Sequence, residues 1–219
     1  LGIAACMQAM FGKNHVDEEV RDFALDLVKY IKQFCTEASD RNDLNFTEYF
    51  TPAESCCYTI CRRTREEFGV LENITDKEFF TNSTHVPVWE EVSIYDKIDI
   101  ESPFCKYGTA GCITYTEFES KIMDNPEAIE KIINYAMDKN IPYFAINFPI
   151  DTCLHCGYAD QIAEECPICG SNTIEHLARV TGYLTTDVSN FNLGKQDEVK
   201  HRYKHSKKTF GDKLKSYSE

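Results

Sequence analysis

The chain has 219 residues, 42 % hydrophobic and 27 % charged, with seven prolines and ten glycines. That composition excludes collagen-like, disordered and disulfide-miniprotein classes and is enough for one large or two small cores. The net charge of −13 argues against a general nucleic-acid binder, because phosphate contacts need clustered Lys and Arg. No apolar run reaches the roughly 18 residues that span a bilayer and no signal pattern opens the chain, so the sequence reads as soluble and cytoplasmic, with no membrane partner.

Eleven cysteines, four of them in two C-x-x-C pairs, point to metal or redox chemistry before disulfides. Asn45, Asn73 and Asn82 stand in N-x-T sequons, which are read as chance matches in the absence of a signal peptide. The chain starts at Leu1 rather than Met, and is read as a piece of something longer.

In chain order, the first predicted element is an amphipathic helix over Asp17–Ala38, with Val20, Phe23, Ala24, Leu27, Val28, Ile31, Phe34 and Cys35 at helical spacing. A second helix is predicted from Thr51-Pro52-Ala53-Glu54, with Thr51 as N-cap, Pro52 in the first turn and Glu54 closing a capping box. Thr51 to Ser55 have two readings: a helix start that binds nothing, or free first-turn N–H groups facing an anion such as a substrate phosphate. Cys56, Cys57 and Cys61, just behind, read as small packing residues.

A strand is expected over Cys112–Phe118, and a helix from Asn125-Pro126 carrying Ile129, Ile132, Ile133, Ala136 and Met137 on one face. Further strands are expected over Tyr143–Phe148 and His176–Leu184, and this alternation of helices and buried strands favours an α/β arrangement. No repeat or low-complexity segment appears. From Lys195 to Lys215 the chain is locally basic, and its last dozen residues read as a solvated tail.

Cys153-Leu-His-Cys156 and Cys166-Pro-Ile-Cys169 are separated by nine residues, each pair trailed by a glycine, Gly157 and Gly170. Two tight knuckles presenting four thiolates satisfy tetrahedral zinc and leave no open position, so the site reads as structural, ahead of a thiol-exchange or iron centre. His155 reads as a surface residue.

Gly182, in Arg179-Val180-Thr181-Gly182-Tyr183-Leu184, falls where a strand is expected, although glycine weakens strands. A bulge or a close approach of another backbone would explain it. The chemical alternative is a Cα radical, stabilised by the flanking amide nitrogen and carbonyl and uncrowded only when no Cβ is present.

Taken with Phe79-Phe80-Thr81-Asn82-Ser83, with Ile146-Asn147-Phe148-Pro149-Ile150-Asp151-Thr152-Cys153 and with Asn190 through Glu198, these motifs resemble, in order over nearly the whole chain, the C-terminal part of anaerobic, class III ribonucleotide reductases. The R-V-x-G-Y core alone is shared with other glycyl radical enzymes, such as pyruvate formate-lyase; the four-cysteine knuckle upstream of it is the discriminating feature. The resemblance implies an oxidoreductase with a glycyl radical stored at Gly182. A separate radical activase, using a 4Fe-4S cluster and S-adenosylmethionine, would generate that radical.

The substrate would be a ribonucleoside triphosphate, reduced to the 2′-deoxy product, usually with formate as reductant and in a homodimeric full-length enzyme. Thr51, Pro52, Ala53, Glu54 and Ser55 match the family's substrate-phosphate segment, and Cys153, Cys156, Cys166 and Cys169 its Zn2+ ligands. The cysteine that carries the thiyl lies, in the family, upstream of this region, so the chain is expected to be inactive alone. The implied fold is a C-terminal portion, about half, of a ten-stranded α/β barrel, with bounds 1–150 for the barrel part, 151–173 for a zinc ribbon, 174–194 for the radical loop and 195–219 for a basic C-terminal helix or tail. The competing readings are another glycyl radical enzyme, a lyase or dehydratase, and a zinc-ribbon module using the basic stretch from Lys195 to Lys208 as a nucleic-acid arm.

Overall fold

Helices α1 (Ile3–Phe11) and α2 (Glu18–Asn42) open the fold in a computed structural model that describes residues 2–205 apart from 119–121, 123, 149 and 181. Pro149 and Thr181 of the quoted motifs, and the tail beyond His205, lie outside the described residues. Asp17 caps α2, its carboxylate accepting the Glu19 N–H at 3.1 Å. Val20, Ala24 and Val28 bury against Met7 and Phe104, whereas Phe23, Ile31 and Phe34 on the same predicted stripe are exposed, because α1 and α4 cover only one edge of it.

Helix α3 (Glu54–Phe68) begins two residues later than its sequence signal suggests. Thr51 is not the cap: its hydroxyl accepts the Ala53 N–H at 3.1 Å in a short turn, and Ala53, at φ 46°, is the N-cap, without a side-chain cap bond. The left-handed backbone at Ala53 breaks the path between Pro52 and Glu54, which leaves Thr51 too far from the first free N–H groups to cap them. Glu54 therefore closes no capping box. Cys57 and Cys61 are buried as expected, and burial pushes their thiols up to about 12 and about 11, while Cys56 is exposed.

The sequence reading missed α4 (Ile94–Cys105). Ile94, Tyr95, Ile98, Ile100, Phe104 and Cys105 are all buried, and so are the charged Lys97 and Glu101, so polar and apolar residues share the covered faces and leave no clean stripe for a periodicity reading to find. From its end Cys105 pairs with Cys112 in a disulfide, the one departure among the described residues from the expectation of metal chemistry before disulfides. Strand β1 (Thr114–Glu117), helix α5 (Pro126–Asp138, capped by Asn125) and β2 (Phe144–Asn147) then form a parallel crossover unit. Its register runs from Thr114 opposite Phe144 to Glu117 opposite Asn147, and Ile98, Phe118 and Ile132 fill the core beneath. Among the described residues the parallel sheet has these two strands, less than half of a ten-stranded wall.

A second, antiparallel sheet has the order β4-β3-β5-β6, from β3 (Ile150–Cys153), β4 (Ala159–Asp160), β5 (Ile174–Val180) and β6 (Tyr183–Thr185). The run expected as one strand is thus two: Val180 pairs with Tyr183, and Gly182 stands in the turn between them. A short 3-10 turn at Val188–Asn190 leads into α6 (Leu193–His201), whose cap Asn192 accepts the Lys195 N–H at 2.9 Å. A Cβ on Gly194 would meet the Glu78 carbonyl oxygen at 2.9 Å and the Tyr58 Cβ at 2.7 Å, so α6 seats on α3 and its following loop at a distance only glycine permits. Asp197 ties the same contact by accepting the Glu78 N–H at 3.0 Å.

Two histidines that sequence reasoning did not single out are buried neutral. His15 Nε2–H donates to the Thr84 carbonyl at 3.0 Å and packs edge-on to Phe104, and His205 Nδ1–H donates to the Val92 carbonyl at 3.1 Å. Burial lowers both to about 4. Their folded pKa values lie below the unfolded value of about 6.5, so the unfolded chain binds more protons in between, and stability is full above that value and falls as pH drops toward 4. Urea unfolding should give a lower stability at pH 5 than at pH 7, by about 1–2 kcal/mol for each imidazole; equal midpoints would contradict the burial of both.

Candidate functional site

The four thiols of the two C-x-x-C pairs converge at the end of β3 and in the loop before β5. Cys153 and Cys169 sulfurs are 3.6 Å apart, Cys156 and Cys166 also 3.6 Å, and all four lie within 4.8 Å of one another. Tetrahedral zinc with Zn–S of about 2.3 Å places its sulfurs about 3.8 Å apart, so the cluster fits that ion. Gly157 and Gly170 stand at φ 77° and 71°, donating to the Cys153 and Cys166 carbonyls at 2.8 and 2.9 Å. Each knuckle thus turns back through a left-handed residue that glycine adopts without strain. The Cys156 N–H, aided by that of His155, brings the Cys153 thiol down to about 6, and the His155 side chain is exposed. Asp151 supports the ribbon from behind, accepting the Ile162 N–H at 2.9 Å and meeting His176 Nδ1 at 3.0 Å.

Because β5 pairs with β3 along Ile150–Cys153, a metal at this cluster would fix the base of the hairpin whose tip is Gly182. We expect one zinc per chain by elemental analysis. Chelation should release four thiols to a thiol reagent and unfold the ribbon, since structural zinc contributes about 10–16 kcal/mol of apparent binding free energy. Iron in place of zinc, or no gain of reactive thiols on chelation, would count against the assignment.

The hairpin tip reaches the start of α3. The Gly182 N–H donates to Glu54 Oε1 at 2.7 Å across 128 residues of chain, and Ser55 Oγ lies 3.3 Å from the Tyr183 hydroxyl. A Cβ on Gly182 would run into the Glu54 carboxyl group. The close approach to this glycine is thus made by a side chain and not by another backbone. Gly182 itself is exposed. The five residues Thr51 to Ser55 and Gly182, far apart in sequence, are brought together here.

The Phe79–Ser83 motif braces the same helix start. Ser83 Oγ donates to the Thr51 carbonyl at 2.5 Å, the Phe80 N–H to the Cys57 carbonyl at 3.3 Å, and the Cys57 thiol to Asn82 Oδ1 at 2.8 Å. Beyond the packing role expected of it, Cys57 thus has a hydrogen-bonding role that its type alone did not disclose. Asn147, at the end of β2, donates both to Glu117 Oε2 at 2.7 Å and to the Arg179 carbonyl at 3.2 Å, pinning the hairpin to the parallel sheet.

Beneath lies a buried ionic cluster that the sequence reading missed. Lys195 Nζ meets Glu198 Oε2 at 2.5 Å, Arg202 Nη2 meets Glu198 Oε1 at 2.7 Å, and Arg202 also pairs with Glu117. Burial pushes the Glu117 carboxyl up, against Arg202; at Glu198 Arg202 and Lys195 overcome burial and hold it below the usual carboxylate range. A second buried pair, Lys97 with Glu101, also takes the Thr114 hydroxyl at 2.8 Å and the Val86 N–H at 2.9 Å. Two cations of the supposed nucleic-acid arm, Lys195 and Arg202, thus face inward against carboxylates. The i, i+3 and i, i+4 spacing of Lys195, Glu198 and Arg202 was the signal available in the sequence.

A parallel crossover unit carrying a four-thiol ribbon and a glycine-tipped hairpin defines the class: part of a barrel of the glycyl radical enzyme type. An anaerobic ribonucleotide reductase of known structure superposes with TM-score 0.71 at 23 % identity, over 85 % of this chain and 29 % of that one. The Thermotoga maritima enzyme, in a structure described as a complex with dATP and CTP, gives 0.65 at 23 % identity over 83 % and 28 %. A sequence model of the family described as anaerobic ribonucleoside-triphosphate reductase matches residues 1–205, and the chain belongs to that family. The Escherichia coli K12 anaerobic ribonucleoside-triphosphate reductase is 36 % identical over 216 residues, 94 % of this chain, and that of bacteriophage T4 is 32 % identical over 194 residues, 84 % of it. The chain spans 30 % of the length of the first relative and 32 % of the second. Among the described residues no helix is long and apolar enough to cross a membrane.

Proposed function

We propose that this chain is the radical-storing C-terminal region of an anaerobic ribonucleotide reductase, with Gly182 as the radical site. The observation that carries the reading is the placement of Gly182 at the tip of a hairpin anchored at its base by the four-thiol cluster and seated at its tip on Thr51–Ser55. A separate activase with a 4Fe-4S cluster and S-adenosylmethionine would abstract the Gly182 hydrogen, and the radical would pass to a cysteine outside this region. That thiyl would take the 3′ hydrogen of a ribonucleoside triphosphate, so that the 2′ hydroxyl leaves, with formate as the reductant.

The phosphate-binding part of the proposal is supported by the helix start. The Glu54 and Ser55 N–H groups belong to the first turn, where no preceding helical carbonyl can take them, and they carry the positive end of the helix dipole. The Thr51 and Ser55 hydroxyls stand beside them. Zinc would be structural, bracing the hairpin and taking no part in the reaction. The bounds 1–150, 151–173, 174–194 and 195–219 follow from this assignment, as do a cytoplasmic location and a homodimer of the whole enzyme.

The deciding experiment is anaerobic electron paramagnetic resonance of the zinc-loaded protein after activase, S-adenosylmethionine and a reductant. A glycyl doublet, with the α-hydrogen splitting lost on Cα deuteration of glycine, is expected; a spectrum without it in the whole enzyme overturns the assignment. The 219-residue chain alone should give no deoxynucleotide product, and turnover by it would contradict a thiyl cysteine lying elsewhere.

A further inference from the structure

We propose that Glu54 is a positioning residue for the radical glycine, its carboxyl group holding the Gly182 N–H and sustaining the radical. This rests on the assignment of Gly182 as the radical site. An acid in the first turn of a helix has an ordinary reason to be there, its favourable interaction with the helix dipole, but that reason asks nothing of its direction. Here the side chain closes no capping box and makes a 2.7 Å bond to the amide of a glycine 128 residues away. A 3.3 Å contact between Ser55 and Tyr183 holds the neighbouring residues in step.

The chemistry of the radical gives that bond a purpose. An unpaired electron on a glycine Cα is stabilised by donation from the amide nitrogen on one side and withdrawal by the carbonyl on the other. An acceptor on the N–H leaves more electron density on the nitrogen, so its donation strengthens, and a bond to a carboxyl oxygen does this more than a neutral one. The same bond fixes the peptide plane of the turn, and with it the plane in which the radical must lie. The space occupied by the carboxyl group is the space a Cβ would need, so Glu54 can hold this amide in this position only while the residue is glycine.

The test compares whole enzyme carrying Glu54→Gln or Glu54→Ala with the parent, each labelled with 15N-glycine and activated anaerobically. Gln keeps an acceptor oxygen and should retain the doublet within about twofold in yield. Ala should lower radical yield or lifetime by about tenfold, the scale of one hydrogen bond to a charged group, and change the nitrogen hyperfine coupling and the coupling to the exchangeable amide proton. A merely structural role would leave both couplings unchanged in whatever radical still forms. Amide exchange at Gly182 in unactivated protein adds a readout that needs no radical: protection in the parent and in Gln, lost in Ala. A doublet with the same yield, lifetime and couplings in all three proteins, or an unprotected Gly182 amide in the parent, overturns the role of Glu54 and leaves Gly182 as the radical site. No doublet in the activated parent overturns both.

Discussion

Gly182→Ala should abolish the glycyl doublet and, with it, all deoxynucleotide formation by the whole enzyme, while leaving the fold and the zinc content in place. The loss follows from the Cα itself. An alanyl radical carries a methyl group that crowds the planar centre, and here the methyl also meets the Glu54 carboxyl group. The obstacle is the far end of a flexible side chain at an exposed hairpin tip, so it can swing aside. The thermal midpoint should therefore move by no more than about 1 kcal/mol of stability. Loss of signal together with intact zinc and an unchanged melting curve separates a chemical role from a folding defect. A doublet that persists in the variant would remove Gly182 from the mechanism.

Arg202→Met should be the most destabilising of the single changes considered. It removes from Glu117 and Glu198 the cation they share, while Asn147 still bonds Glu117 and Lys195 still bonds Glu198, and breaking a buried ion pair from one side costs about 3–5 kcal/mol. In a domain of this size that corresponds to a fall of about 6–20 °C in melting temperature. The deficit should also depend on pH in a predictable direction. Burial already pushes the Glu117 carboxyl up against Arg202; without that cation it rises further above its unfolded value. A group raised in the folded state contributes stability below the unfolded pKa and loses it as pH rises through the folded one. The gap between Arg202→Met and the parent should accordingly be smaller at pH 5 than at pH 7, although both proteins lose stability on acidification through His15 and His205. Adding Glu117→Gln should recover part of the loss. A variant as stable as the parent would mean that the ionic cluster does not hold α6 in place.

Consequences for the hairpin follow from the same cluster. Arg202 links α6 to β1 through Glu117, and Asn147 links Glu117 to β5. The chain on both sides of Gly182 is thus tied to one carboxylate at the edge of the parallel sheet, with the thiol cluster at the hairpin base as a separate anchor.

Several features were legible in the sequence because their physics is local. Two C-x-x-C pairs trailed by glycines specify two knuckles, and the four sulfurs do converge. Asp17 and Asn125 cap the helices that follow them, where a short acceptor side chain meets the first free N–H groups. Gly182 stood out because a residue without a side chain was set in an otherwise strand-forming run, although that run proved to be two strands and a turn. A strand signal of alternating, β-branched and aromatic residues is nearly the same for one long strand as for two short ones meeting at a tight corner. Helix α4 left no signal, since Lys97 and Glu101 are buried beside its apolar residues, so charge and exposure do not follow one helical period.

By itself the sequence determined which residues could bind metal, which glycine was anomalous and to which family the motifs point, because each rests on residue type and short spacing. Only the tertiary structure decided that Thr51 does not cap α3, that Lys195 and Arg202 turn inward, and that Glu54 reaches the Gly182 amide. Those outcomes depend on which distant segments pack together, and packing is set by the summed burial and hydrogen bonding of the whole chain, which no local pattern encodes.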